Sequence, residues 1–85
     1  MPSHTEVPGT GVVLLTRADC HLCADARAVV ERVTAELGIG WRELTVVEAP
    51  GLGESFAEEL PVLFIDGVQR EFWSIDEVRL RRLLA

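Results

Sequence analysis

Eighty-five residues make a single domain, and 48% hydrophobic residues exclude a disordered chain. Fourteen Asp and Glu against eight Arg, with no Lys, leave a net charge of −6, which excludes the basic patches that nucleic acid or an anionic membrane surface requires. Two cysteines are too few for a disulfide scaffold, and no apolar run is long enough to cross a bilayer.

Residues 1–10 carry two prolines and a glycine without periodicity and are expected to form a flexible tail ahead of a single domain over 11–85. They lack the basic start and apolar stretch of a secretory signal, so a cytoplasmic location is expected. Gly11 to Thr16 reads as a strand that is apolar on both faces, the pattern of a central strand covered on each side. The turn Arg17-Ala18-Asp19 leads to Cys20. His21 to Leu37 then has helical spacing, with Leu22, Ala26, Val29, Val30, Val33 and Leu37 on the inner face and Asp25, Arg27, Glu31, Arg32 and Glu36 facing outward. Gly38 stands where a left-handed residue ends a helix.

Trp41 to Val47 is the second strand, and strand–helix–strand implies parallel pairing with a right-handed crossover. Pro50, Gly51 and Gly53 interrupt the next stretch, and Glu54 to Leu60 is expected to supply one or two helical turns. Pro61 opens the third strand, Val62 to Ile65. Asp66-Gly67 is a type I′ hairpin signal, and Val68 to Trp73 returns antiparallel as an edge strand. Ser74-Ile75-Asp76-Glu77 has the form of a capping box for a last helix toward Leu84, with Arg79, Arg81 and Arg82 near its C-terminal end. The order βαβ, short α, ββα describes an α/β domain with a four-stranded mixed sheet flanked by helices.

The chemistry lies in Cys20-His21-Leu22-Cys23, a Cys-x-x-Cys between strand and helix. A thiolate is the nucleophile in thiol–disulfide exchange, and the free N–H groups and dipole of a helix N-terminus stabilise one at Cys20. A protonated His21 and Arg17 would add to that effect, while Asp19 would oppose it. Cys23, one turn further on, is expected to be more buried and less acidic. Cys20 is therefore assigned as the attacking sulfur and Cys23 as the resolving one. Zinc would need four ligands, and only His21 and the tail residue His4 could join the cysteines, so no metal site is expected within one chain. Two further readings use the same dithiol: a non-catalytic binding module, or a metal or iron–sulfur site shared at a dimer interface.

With its Cys-His-Leu-Cys turn, its Pro-Val-Leu-x-Ile-Asp-Gly hairpin from Pro61 to Gly67 and its short terminal helix, the chain resembles the thioredoxin superfamily. It looks most like the compact bacterial glutaredoxin-like proteins. The resemblance implies a thioredoxin-like fold and a thiol–disulfide oxidoreductase that reduces protein disulfides or mixed disulfides with a small thiol. It further implies a cis Leu60–Pro61 bond facing the Cys20 sulfur, with Leu60 and Pro61 contacting substrate; Asp76 could grip a substrate amino group or serve only the first turn of the last helix. No bound cofactor is implied; a low-molecular-weight thiol such as glutathione is the candidate reductant, and a monomer is expected. The chain departs from the glutathione-binding members at two places. Glu59-Leu60-Pro61 stands where they carry Thr-Val-Pro, and Trp73-Ser74-Ile75-Asp76 where they carry a Gly-Gly turn and an Asp. Unlike thioredoxins, it has no acid in the strand before the dithiol, from Gly11 to Leu15. Trp41 and Trp73 are expected to serve core or edge-strand packing.

Overall fold

A computed structural model describes residues 10–85; His4 and the rest of the expected tail before residue 10 lie outside the described residues. The elements run β1 (Val12–Thr16), α1 (His21–Leu37), β2 (Trp41–Thr45), α2 (Pro50–Ser55), β3 (Val62–Ile65), β4 (Val68–Phe72) and α3 (Glu77–Leu84). They form one four-stranded sheet in the order β2-β1-β3-β4. β1 lies at its centre, parallel to β2 and antiparallel to β3, and β4 pairs antiparallel with β3 at the edge. All five residues of β1 are buried, as continuous hydrophobicity on a two-sided strand requires.

Alternation along the strands divides the core in two. Val12, Leu14 and Leu63 face α1 and α3, packing with Ala26, Val30, Val33, Ile75 and Leu80. Val13, Leu15, Val62 and Phe64 face the opposite way, onto Leu52 of α2 and onto Leu60 and Phe56. α1 and α3 are also tied by charge: Arg32 pairs with Glu77 at 2.9 Å, and Arg81 with both Glu36 and Glu77, at 2.9 and 2.7 Å. Such exposed pairs contribute modestly one by one, and more as a network. Among the described residues no helix is long and apolar enough to cross a membrane.

Several local expectations are revised. Leu22 does not join the buried face of α1; it is 43% exposed, and Cys23 takes the inward position beside Ala26. Leu37 is also partly exposed. The short helix begins at Pro50 rather than Glu54, because proline's fixed φ suits the first helical position, where no N–H is needed. Its Gly53 lies so close to the residue that follows β2 that a Cβ there would stand 2.7 Å from the Cβ of Val46.

The capping box is revised too. Ser74 donates its N–H to Phe72 O, and the cap is Asp76, whose carboxylate accepts from the Val78 N–H at 3.1 Å. Glu77 is drawn off to Arg32 and Arg81 instead of reaching back. β2 and β4 are also shorter than the hydrophobic pattern suggests, ending at Thr45 and Phe72.

The other punctuation follows local chemistry. Gly38 closes α1 at φ 72°, its N–H bonding Ala35 O while Ile39 N–H bonds Thr34 O. Asp66 and Gly67, at φ 51° and 82°, supply the two left-handed residues of the hairpin.

Candidate functional site

The site lies where β1 ends. Leu15 is opposite Val62, and Val62 is opposite Phe72, so the chain leaving β1 at Thr16 shares one end of the sheet with Pro61 and Trp73. From Thr16 the turn Arg17-Ala18-Asp19 reaches the helix through a left-handed Asp19, at φ 55°, a conformation that aspartate tolerates better than most residues. Cys20 follows in extended conformation as the N-cap of α1.

At that position Cys20 takes the role usually filled by Ser or Asp. Its Sγ accepts the backbone N–H of Cys23 at 3.1 Å, so a free N–H of the first helical turn points at the sulfur. Cys20 is partly exposed, Cys23 is 1% exposed, and both thiols are free. Burial pushes the Cys23 thiol up to about 11, reinforced by its interaction with Cys20. The Arg17 backbone N–H and the Arg27 cation pull it partly back. One sulfur is thus open to a partner, and the other stays protonated behind it.

The remaining sequence-chosen residues occupy distinct places. Arg17, Asp19 and His21 have exposed side chains around the turn. Arg17 reaches the dithiol through its backbone. The Leu60–Pro61 peptide is cis, and both residues are buried. Asp76 is engaged as the cap of α3, and its own N–H donates to Glu71 Oε1 at 3.2 Å. Trp41 is half-buried against the core, with its indole N–H on Glu31. Trp73, expected in packing, is 54% exposed beside Pro61. Its backbone takes φ 66°, its N–H donates to Pro61 O at 2.9 Å, and its indole N–H donates to Glu58 O. Among the described residues no group of three or more His, Cys, Asp or Glu side chains is placed to hold a metal ion.

Three residues near the dithiol escaped the sequence reading. Arg27, which the helical pattern turns outward, forms a two-pronged ion pair with Glu43 of β2 at 2.8 and 2.7 Å. Glu43 also accepts the buried Thr16 hydroxyl at 2.6 Å. Hydrogen bonds from Arg27 and Thr16 hold the Glu43 carboxyl below its ordinary range despite partial burial. The available signal was that Arg27 follows Cys23 by four residues, the spacing that places side chains one above the other on a helix.

Comparison with known proteins places this geometry. The family model described as a glutaredoxin-like domain (DUF836) matches residues 11–85. The chain belongs to that family. The glutaredoxin-like chain is 37% identical over 79 residues to an uncharacterized protein of Mycobacterium tuberculosis, covering 87% of this chain and 81% of the relative, and to a Mycobacterium bovis protein by the same measures. Among solved structures it is similar to a structural genomics target from X. campestris, with TM-score 0.71 and 27% identity, over 87% of this chain and 95% of that one. It is also similar to a mutant thioredoxin from Halobacterium salinarum, with TM-score 0.56 and 31% identity, over 87% of this chain and 72% of that one. The glutaredoxin-like domain thus has the thioredoxin-like α/β fold, with Cys20 and Cys23 in a Cys-x-x-Cys arrangement at the start of its first helix.

Proposed function

We propose that this glutaredoxin-like protein is a dithiol oxidoreductase that reduces disulfides in proteins, or mixed disulfides between a protein and a small thiol. The observation that carries the reading is the asymmetry of the pair: a partly exposed Cys20 receiving a helix N–H, and a buried Cys23 one turn behind it. The Cys20 thiolate attacks one sulfur of the substrate disulfide. The sulfur–sulfur bond breaks, the other substrate sulfur leaves as a thiolate, and a mixed disulfide on Cys20 remains. Cys23 then loses its proton to water and attacks the Cys20 sulfur. The second substrate thiolate departs, and a Cys20–Cys23 disulfide remains. The substrate gains two electrons and the protein loses two. An external thiol such as glutathione, or a reductase, returns them, and no bound cofactor takes part.

A protein disulfide suits the surroundings better than an anionic tripeptide. Trp73 fills the turn beside Pro61, and Glu54, Glu58 and Glu59 line the same stretch of chain. Leu60 and Pro61 are the proposed backbone contacts of the incoming segment, with His21, Arg17 and Asp19 around the attacking sulfur.

The test is turnover of a protein disulfide with glutathione or thioredoxin reductase supplying electrons. Wild type should turn over, Cys20→Ser should be inactive, and Cys23→Ser should retain only exchange with small mixed disulfides. Lack of wild-type turnover with every reductant would overturn the reading in favour of a non-catalytic docking module.

A further inference from the structure

We propose that Arg27 is a positioning residue for the resolving step: its guanidinium, held in place by Glu43, supplies the positive charge against which the Cys23 thiolate forms. The assignment rests on the dithiol reading above and concerns its second half.

Resolution is the harder half in this structure. Cys23 is almost fully buried, so it must give up a proton in a place that disfavours charge. Arg27 is the cation placed to offset that cost. It follows Cys23 by one helical turn on the same helix. A lone arginine there would swing into solvent. Here both prongs of the guanidinium are taken by Glu43, and Glu43 is anchored in turn by the buried hydroxyl of Thr16, the last residue of β1 before the dithiol turn. The chain Thr16–Glu43–Arg27 therefore fixes a charge from two adjacent strands onto the helix that bears the cysteines.

A hollow of about 210 Å³ runs along this chain, lined by Thr16, Arg17, Ala18, Arg27 and Glu43. It reaches the turn at Arg17, whose backbone N–H acts on the Cys23 thiol together with Arg27. The charged groups acting on Cys23 are Cys20 on its own helix start and Arg27 further along, with Glu43 of β2 partly neutralising Arg27 from behind.

This arrangement makes a prediction with two signs. Arg27→Gln removes the cation and should slow resolution. Glu43→Gln keeps an oxygen for the guanidinium but removes the opposing negative charge, and should speed it. A merely structural role would move both variants the same way.

The measurement is stopped-flow release of thionitrobenzoate from Ellman's reagent, at limiting reagent, across pH 6 to 10. The fast phase reports attack by Cys20 and the slow first-order phase reports attack by Cys23. Arg27→Gln should lower the slow-phase rate about three- to tenfold at every pH across that range. Arg27→Lys should retain most of the rate, and Glu43→Gln should raise the slow-phase rate across the same range. An unchanged slow phase in Arg27→Gln, or a shift of both charge-removing variants in one direction, overturns the assignment. Should Arg27→Gln not fold, a slow phase in Glu43→Gln that slows or stays unchanged does the same. Absence of any slow phase in wild type refutes the dithiol reading itself and takes the Arg27 assignment with it, whereas a normal wild-type slow phase with indifferent variants refutes only the latter.

Discussion

Cys23 should be nearly inert to alkylation at neutral pH, and the size of the effect can be worked out. With its thiol pushed up to about 11, roughly one Cys23 in 10⁴ is a thiolate at pH 7, against about 3% for a free cysteine near 8.5. The ratio is about 300 before any loss of access through burial is counted. In Cys20→Ser, which leaves Cys23 alone, the smaller part contributed by Cys20 is lost but burial, the largest cause, stays. A retardation on the order of 100-fold relative to free cysteine is therefore expected for that variant. Timed reaction with iodoacetamide, followed by intact mass, measures it. The rate should also climb about tenfold per pH unit from 7 to 10 without a plateau. Labelling of Cys23 at pH 7 within about tenfold of the free-thiol rate, in a variant shown to be folded, would refute the reasoning.

Gly53→Ala should lower stability by about 1–2 kcal/mol, because the clash with Val46 outweighs the gain in helix propensity; a raised Tm on thermal denaturation would contradict this. Asp76→Ala should cost about 1 kcal/mol by uncapping α3, or about 4–8 °C in Tm, whereas Asp76→Ser should keep most of the stability. If Asp76→Ser keeps stability but loses turnover, Asp76 also contacts substrate. Glu71 and Glu43 should differ in sign. Burial raises Glu71, so its contribution is fully present below the unfolded value of about 4.3 and lost as pH rises through the folded one. The Arg27 and Thr16 bonds lower Glu43, so its contribution is present above about 4.3 and lost as pH falls through the folded value. From pH 4 to pH 7, the Tm of Glu71→Gln relative to wild type should rise, and that of Glu43→Gln should fall.

How much of this was legible in the sequence depended on whether the deciding contact was local. α1 runs from His21 to Leu37, as its periodicity predicts, because its cap at Cys20 and its stop at Gly38 are both in the adjoining sequence. The hairpin was readable from Asp66-Gly67 for the same reason. α3 was misread at its start because Ser74 and Asp76 are both competent caps. The choice fell to Asp76 once Trp73 turned left-handed and the Ser74 N–H went to Phe72 O. Pro50 looked like a breaker but serves as a first helical residue, a distinction that depends on where the chain enters the helix.

The site divides along the same line. Cys20 and Cys23 could be singled out from a spacing of three, but which residues surround Cys23 could not. Arg27 reads as one more outward charge until β2 brings Glu43 beside it, and that depends on the β1–β2 register. Glu43 lies opposite Leu14 in that register, so it faces α1, although its strand is only weakly amphipathic. The acid that holds Arg27 therefore comes from β2, one strand over from the β1 segment that carries none.

The central claim is that Cys20 attacks and Cys23 resolves, and covalent trapping tests it most directly. Reduced Cys23→Ser mixed with a disulfide-bearing protein should accumulate a mixed disulfide mapped by mass spectrometry to Cys20. Wild type under the same conditions should lose two hydrogens and end as the Cys20–Cys23 disulfide with no adduct. An adduct that forms on Cys23 in Cys20→Ser as readily as on Cys20 in Cys23→Ser, or a wild type that stays trapped with its partner, would contradict the account.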